Sequence, residues 1–316
     1  MWHAARKTTQ TLFFALLVAT PSMALYDVVQ HSRALYGDSL AGRRIAATGP
    51  VRGWIVRAQE TLAGSRPRNA RPLSERLAGT PWALRVGGYT AIDPLNALGA
   101  WFAGGGAPKK LLWAALPLLL VTLLFGRVFC GWVCPVHFLL EIVDGLRSRM
   151  RRLGVPVRAF RLKRSTKYAV LGLGALATAV LGAQIFPLIY PPAVLGRQMF
   201  ELVFFGGLGG GAVFLLAVAA VEVFLSRRVW CRSLCPGGAL YALLSPLRTL
   251  SIQRTASRCD DCGDCNRVCA FGLSPMTDAT GVECTSCRAC VRVCPTDALA
   301  LRLRLPLSAP SGGRAS

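Results

Sequence analysis

The chain has 316 residues, 53% of them hydrophobic, with 37 lysines and arginines against 15 acids and a formal net charge of +22. Its apolar residues gather in long uncharged blocks, a membrane composition that excludes an ordinary soluble domain. The positive charge is then explained by membrane topology and contact with anionic lipid, so nucleic acid is not expected as a partner.

Uncharged stretches run Thr8–Tyr26, Leu111–Gly126, Ala169–Tyr190 and Leu202–Val221. A spanning helix needs about 20 such residues, so four transmembrane helices are predicted. The second is short, and the long stems of Lys109, Lys110 and Arg127 are expected to lie along lipid and lift their charges to the interfaces. Residues 1–29 hold the first span. A second reading of this segment is a secretory signal, since Arg6 and Lys7 precede an apolar stretch and Pro21-Ser22-Met23-Ala24.

Orientation follows from basic residues near the helix ends. Between 127 and 167 stand Arg127, Arg147, Arg149, Arg151, Arg152, Arg158, Arg161, Lys163, Arg164 and Lys167 against Glu141 and Asp144, whereas 191–201 carries Arg197 and Glu201. The first segment belongs in the cytoplasm, and with four spans both termini do too. Residues 30–110 then form a periplasmic loop. That loop is itself basic, with Arg43, Arg44, Arg66, Arg68, Arg71 and Arg76, but long loops cross largely regardless of charge.

The membrane domain, 111–250, contains an internal repeat at an offset of 101 residues. Arg127-Val128-Phe129-Cys130-x3-Cys134-Pro135, closing at Arg147, is matched by Arg228-Val229-Trp230-Cys231-x3-Cys235-Pro236, closing at Arg248. Cysteines four apart share a helix face, so each pair is expected to present two sulfurs together. Each proline suits the first turn of a following helix. Three readings of Cys130, Cys134, Cys231 and Cys235 stay open: a further metal centre, redox-active thiol pairs, or packing at a helix boundary. Gly206, Gly207, Gly209, Gly210 and Gly211 read as close helix packing.

Residues 251–305 carry two copies of C-x2-C-x2-C-x3-C, namely Cys259, Cys262, Cys265, Cys269 and Cys284, Cys287, Cys290, Cys294. This is the run by which a bacterial ferredoxin binds two [4Fe–4S] clusters. Three cysteines on an irregular loop wrap one cube, and the fourth is expected to start a helix pointing elsewhere and serve the other. One cluster is thus assigned to Cys259, Cys262, Cys265 and Cys294, the second to Cys284, Cys287, Cys290 and Cys269. Zinc sites use paired C-x2-C with a longer spacer, and disulfides do not suit a cytoplasmic domain. Pro295 follows Cys294 as the pattern expects, whereas Ala270 follows Cys269. The tail, 306–316, is expected to be disordered.

The predicted fold class is thus an α-helical membrane protein with four transmembrane helices plus a small α+β double [4Fe–4S] ferredoxin domain. From Tyr89 to Leu303, through Asp93-Pro94-Leu95, the two C-x3-C-P motifs and the two cluster runs, the chain resembles the NapH/MauN type of membrane ferredoxin, related to the membrane parts of NosR and the CcoG/RdxA proteins. The resemblance implies a bacterial inner-membrane protein that oxidises quinol from the quinone pool. It would feed a periplasmic redox system with other ferredoxin-type or cytochrome subunits. It implies, as the alternative, a redox-linked assembly or regulatory protein of the CcoG/RdxA or NosR kind. The long arginine-rich outer loop departs from the NapH pattern.

A quinol releases protons with its electrons, so its site needs an acceptor beside apolar walls. No catalytic residue is assigned from the sequence. The candidates are His31, Glu222, and the pair His137 and Glu141, each with a bland reading beside it, for Glu222 an interfacial salt bridge with Arg227 and Arg228. Histidine is otherwise scarce, His3 being the third, and none lies deep in a span, which argues against an internal bis-histidine haem.

Overall fold

The computed structural model describes residues 2–36, 77–80, 83–86, 89–104, 109–154, 162–278 and 280–303. The outer-loop arginines 43–76, Arg158, Arg161 and the tail lie outside the described residues, as do the side chains of His3, His31, Lys109 and Lys110.

Four helices correspond to the four predicted spans: α1 (Trp2–Tyr36), α3 (Lys109–Phe125), α6 (Thr166–Leu181) and α9 (Gly210–Phe224). Among the described residues one stretch is long and apolar enough to cross a membrane by length and composition, Ala4–Leu25 within α1. The apolar stretches Leu111–Phe125, Thr166–Leu181 and Gly210–Phe224 are shorter. The third predicted span, 169–190, is broken: α6 stops at Leu181, Gly182 takes φ 62°, and a one-turn helix, α7 (Phe186–Ile189), follows. The segment 191–201, left between the third and fourth predicted spans, is helical, with Pro191 and Pro192 where the first helical turn needs no amide donor. The resulting helix α8 runs Pro191–Phe205 and ends at Gly206 with φ 71°. The fourth predicted span thus straddles a helix break.

The chain forms two compact units, Met1–Gln10 with Pro117–Ala177 and Ala219–Ser316, and Thr11–Leu116 with Thr178–Val218. The second unit folds part of the predicted outer loop. Strands β1 (Leu77–Thr80), β2 (Ala83–Val86) and β3 (Tyr89–Ile92) pair antiparallel in that order, with Thr80 opposite Ala83 and Val86 opposite Tyr89. Helix α2 (Pro94–Phe102) follows. Its cap is Asp93, fully buried, whose carboxylate accepts the Leu95 amide at 2.7 Å and the Tyr190 hydroxyl at 3.0 Å. Phe186, Tyr190, Val194 and Leu195 are buried in the same unit. Gly211 has no room for a side chain, since a Cβ there would stand 2.8 Å from Val194 Cγ1 and from Gln198 Nε2. The close-packing reading holds for that glycine, while Gly206 serves as a helix stop.

The first unit carries both cysteine patterns. Each copy of the 101-residue repeat is a short helical turn, α4 (Val128–Trp132) or a π-helical turn (Trp230–Leu234), then a helix, α5 (Pro135–Arg152) or α10 (Pro236–Leu243). Strand β4 (Leu250–Arg254) then opens the cluster lobe and pairs antiparallel with β5 (Leu299–Leu303), Leu250 opposite Leu303 and Arg254 opposite Leu299. Between them lie one-turn helices α11 (Asp264–Val268) and α12 (Ala289–Arg292).

Candidate metal centres

The core of the cluster lobe is made of Ile252, Phe271, Leu273 and Leu299 together with Cys265, Cys284 and Cys290. Two cavities flank it. Cys259, Cys262, Cys265 and Cys294 line one, and Cys269, Cys284, Cys287 and Cys290 line the other. Each cavity therefore takes three cysteines from one run and the last cysteine of the other run.

The backbone repeats with them. Asp261, Gly263 and Gly272 have φ of 53°, 75° and 62°, and 25 residues later Ser286, Arg288 and Asp297 have φ of 52°, 60° and 50°. Left-handed residues alternating with ordinary ones turn successive amides to one side, forming concavities suited to anionic sulfur. The fourth cysteines match too: Cys269 Sγ accepts the Leu273 amide at 3.4 Å and Cys294 Sγ the Ala298 amide at 3.3 Å. Both cysteines come at the end of their one-turn helices, where a helix start was expected. Past the helix, each reaches the cavity lined by the other run's three cysteines, Cys269 the second and Cys294 the first.

These residues fit an iron–sulfur cluster. Thr285 lines the second cavity and its Oγ1 is buried without a hydrogen-bond partner, a donor left over for a sulfide or thiolate. Burial, with Cys287, Cys284 and Cys269 beside it, pushes the Cys290 thiol up to about 12, so only a bound cation would keep such a set ionised. Among the described residues no group of three or more His, Cys, Asp or Glu side chains is placed to hold a single metal ion. A mononuclear zinc site would need all four sulfurs within about 2.3 Å of one point.

The two repeat copies meet reciprocally. Cys134 and Cys235 do not continue the helix of their partner cysteine, contrary to the one-face expectation. Their amides bond five residues back, to Phe129 O at 3.0 Å and Trp230 O at 2.8 Å, which closes the turn and leaves each as the cap of the next helix. Pro135 and Pro236 take the first helical position. Cys235 Sγ accepts the Gly238 amide at 3.4 Å, and Cys134 Sγ interacts with the matching His137 amide. A sulfur at a helix start is favoured as an anion. Burial, and the neighbouring Cys130, push Cys235 up to about 12, and burial and Cys235 raise Cys231.

Arginines cross between the copies. Arg127 Nη2 lies 3.4 Å from Cys231 O and 2.9 Å from where a Cβ on Gly238 would stand, and Arg228 Nη1 donates to His137 O, the equivalent position, at 3.1 Å. Both side chains are about 1% exposed. Arg127 therefore does not reach toward an interface, as expected from sequence. It pairs with Glu283 at 2.5 Å and hydrogen-bonds Cys130. Lys167, fully buried, holds the same carboxylate, with Nζ to Oε1 at 2.5 Å. Arg228 pairs with Asp144 at 3.1 Å. Nothing in the sequence names Glu283 as their partner except that it directly precedes Cys284.

The other candidates are also placed. Glu222, 1% exposed, accepts the Val229 and Trp230 amides at 3.2 and 2.9 Å. It pins the π-helical turn, and the salt bridges of Arg227 and Arg228 go to Asp144. His137 is buried, stacks on Phe271 with ring centroids 6.1 Å apart and lies 3.4 Å from Glu141. Burial and the charge of Arg228 hold it down to about 3, a neutral imidazole. Glu141 also pairs with Arg6 and Lys7, and Arg6 and Gln10 both donate to Gly131 O, at 2.9 and 3.0 Å. The start of α1 is thereby built into the repeat region, a role that the signal reading would not give it.

A family model described as a 4Fe-4S binding domain matches residues 111–154 and 208–252, the two repeat copies, and another of that description matches 283–300. The chain is 31% identical over 240 residues to the methylamine utilization ferredoxin-type protein MauN of Methylorubrum extorquens, covering 74% of this chain and 73% of that one. It is 29% identical over 233 residues to the ferredoxin-type protein NapH of Escherichia coli (69% and 77%), and 32% identical over 197 residues to NapH of Haemophilus influenzae (58% and 65%). No solved structure matches. With two cysteine-lined cavities in a ferredoxin-like lobe and these relatives, the chain belongs to the NapH/MauN family of ferredoxin-type electron-transport proteins.

Proposed function

We propose that this protein is a multi-pass membrane subunit that takes electrons from quinol and delivers them toward a periplasmic redox system. Its domains are those read from the sequence, with the cluster lobe in the cytoplasm. The observation that carries the electron-transfer reading is the pair of four-cysteine cavities. When bound, each [4Fe–4S] cluster supplies a one-electron carrier.

Four spans are supported by what the helices present. Trp113, Leu176, Val180, Val213 and Leu216 are 61–75% exposed on α3, α6 and α9, an apolar surface that suits lipid. Reporter fusions after Arg152 and at the carboxyl terminus should both read cytoplasm, and one after Ala70 periplasm. A cytoplasmic reading after Ala70 would invert the topology.

The repeat cysteines are proposed to hold a third [4Fe–4S] cluster. Burying Arg127 and Lys167 against the one carboxylate of Glu283 leaves a positive excess, which is costly unless an anion lies close. Arg127 touches Cys130, so four iron-bound thiolates would supply that anion, whereas neutral packed thiols would not. The chain's own contribution is to fix Cys134 and Cys235, both buried, at two helix starts and to carry Cys130 and Cys231 on the turns before them.

The test is reduction by a quinol. Added to the anaerobic protein, a short-chain quinol should bleach cluster absorbance. Cys134→Ser should abolish this, yet leave dithionite reduction of the ferredoxin clusters intact. Bleaching that survives in Cys134→Ser would remove the repeat from the route, and no bleaching in the wild type would remove the quinol.

A further inference from the structure

A further cavity of about 340 Å³ lies within the first unit, with no cysteine in its lining and only Leu273 shared with the second cysteine-lined cavity. Its walls include Arg164 and Arg232, with Asn266 and Ser274, closed by Leu162 and Leu273. Its volume is in the range of sites that hold small ligands, roughly 300–1,000 Å³. Among the described residues no acid lines it.

The two guanidinium groups converge. Arg232 Nη1 lies 3.4 Å and Arg164 Nη2 3.7 Å from a single point, the place a Cβ on Gly272 would take. Arg164 is steadied there by donating to Phe271 O at 3.1 Å and to Gly272 O. Ser233, beside Arg232, donates its hydroxyl to Leu162 O at 3.3 Å, tying the wall segments together. Like charges held this close repel, and a planar guanidinium fork matches the oxygens of a phosphate group. The amide of Asn266 and the hydroxyl of Ser274 add neutral donors.

We propose that this cavity binds a phosphate-bearing anion, either the headgroup of an anionic lipid or a free phosphate. Bound there, it would join three parts of the first unit: the segment before α6, the turn between Cys231 and Cys235, and the lobe next to Cys265. The proposal does not depend on quinol as the electron donor.

The experiment uses the full-length holoprotein with two probes. Native mass spectrometry in nanodiscs would count retained phosphatidylglycerol against phosphatidylcholine. Equilibrium dialysis would measure inorganic phosphate in detergent. The wild type should retain one phosphatidylglycerol or bind one phosphate, and which probe is held identifies the source. Arg164→Gln should weaken binding about tenfold or more, the scale of one charge-assisted contact. Ser274→Ala should weaken it less and serves as the test if Arg164→Gln does not fold, iron content and dithionite bleaching being the check of folding. Retention of neither probe by the wild type, or equal retention by wild type and variants, would overturn the proposal.

Discussion

The chain holds two internal duplications, and they solve the same problem differently. In the cluster lobe, copies 25 residues apart exchange a cysteine, each completing the other's cavity. In the repeat, copies 101 residues apart exchange an arginine, each lying against the backbone of the other. The lobe brings its cysteines together through turns, and its internal ion pairs, Arg267–Asp264 and those of Arg254 with Asp261 and Asp278, reach the surface, while its Glu283 serves the repeat. The repeat is assembled by buried charge. A short duplication can bring cysteines together through local turns alone, whereas a distant one needs a long side chain to cross.

The sharpest way to break this contrast is Glu283→Gln, at the lobe carboxylate that holds the repeat's Arg127. It leaves Arg127 and Lys167 buried without a carboxylate and should cost about 3–5 kcal/mol, read as a lowered denaturation midpoint. Arg267→Ala in the lobe should cost under about 1 kcal/mol by the same measurement, because exposed pairs contribute little. Equal losses would mean that buried charge does not distinguish the regions.

A smaller effect is expected where the duplications touch. A Cβ on Gly131 would stand 2.4 Å from Thr285 O, and Trp132 Nε1 donates to Ser286 O at 3.2 Å. Gly131→Ala should therefore cost about 1–3 kcal/mol by forcing the Cys284 loop off the first repeat copy. Unchanged stability would show that the loop moves freely.

Much of this was legible in the sequence because it is local. The two cysteine runs, the prolines after Cys134 and Cys235 and the offset of the repeat need only neighbours or self-similarity. What was missed is long-range or depends on backbone geometry. Glu283 lies 156 residues from Arg127 and 116 from Lys167, so nothing in either neighbourhood announces the pair. The cysteine pairs looked like one helix face, but bonds to the fifth residue back end each turn at the second cysteine. Gly182 and Gly206 break apolar stretches that hydropathy alone reads as continuous, and Pro191 and Pro192 start a helix in the segment left between two predicted spans.

The central claim, that three sets of four cysteines hold three clusters, is tested most directly by counting iron and acid-labile sulfide in the anaerobically purified protein. The account predicts about twelve of each per chain, falling to about eight in Cys134→Ser and in Cys262→Ser, with each variant losing a different set. About eight irons in the wild type, unchanged in Cys134→Ser, would contradict the third cluster, and stoichiometric zinc without iron would contradict all three.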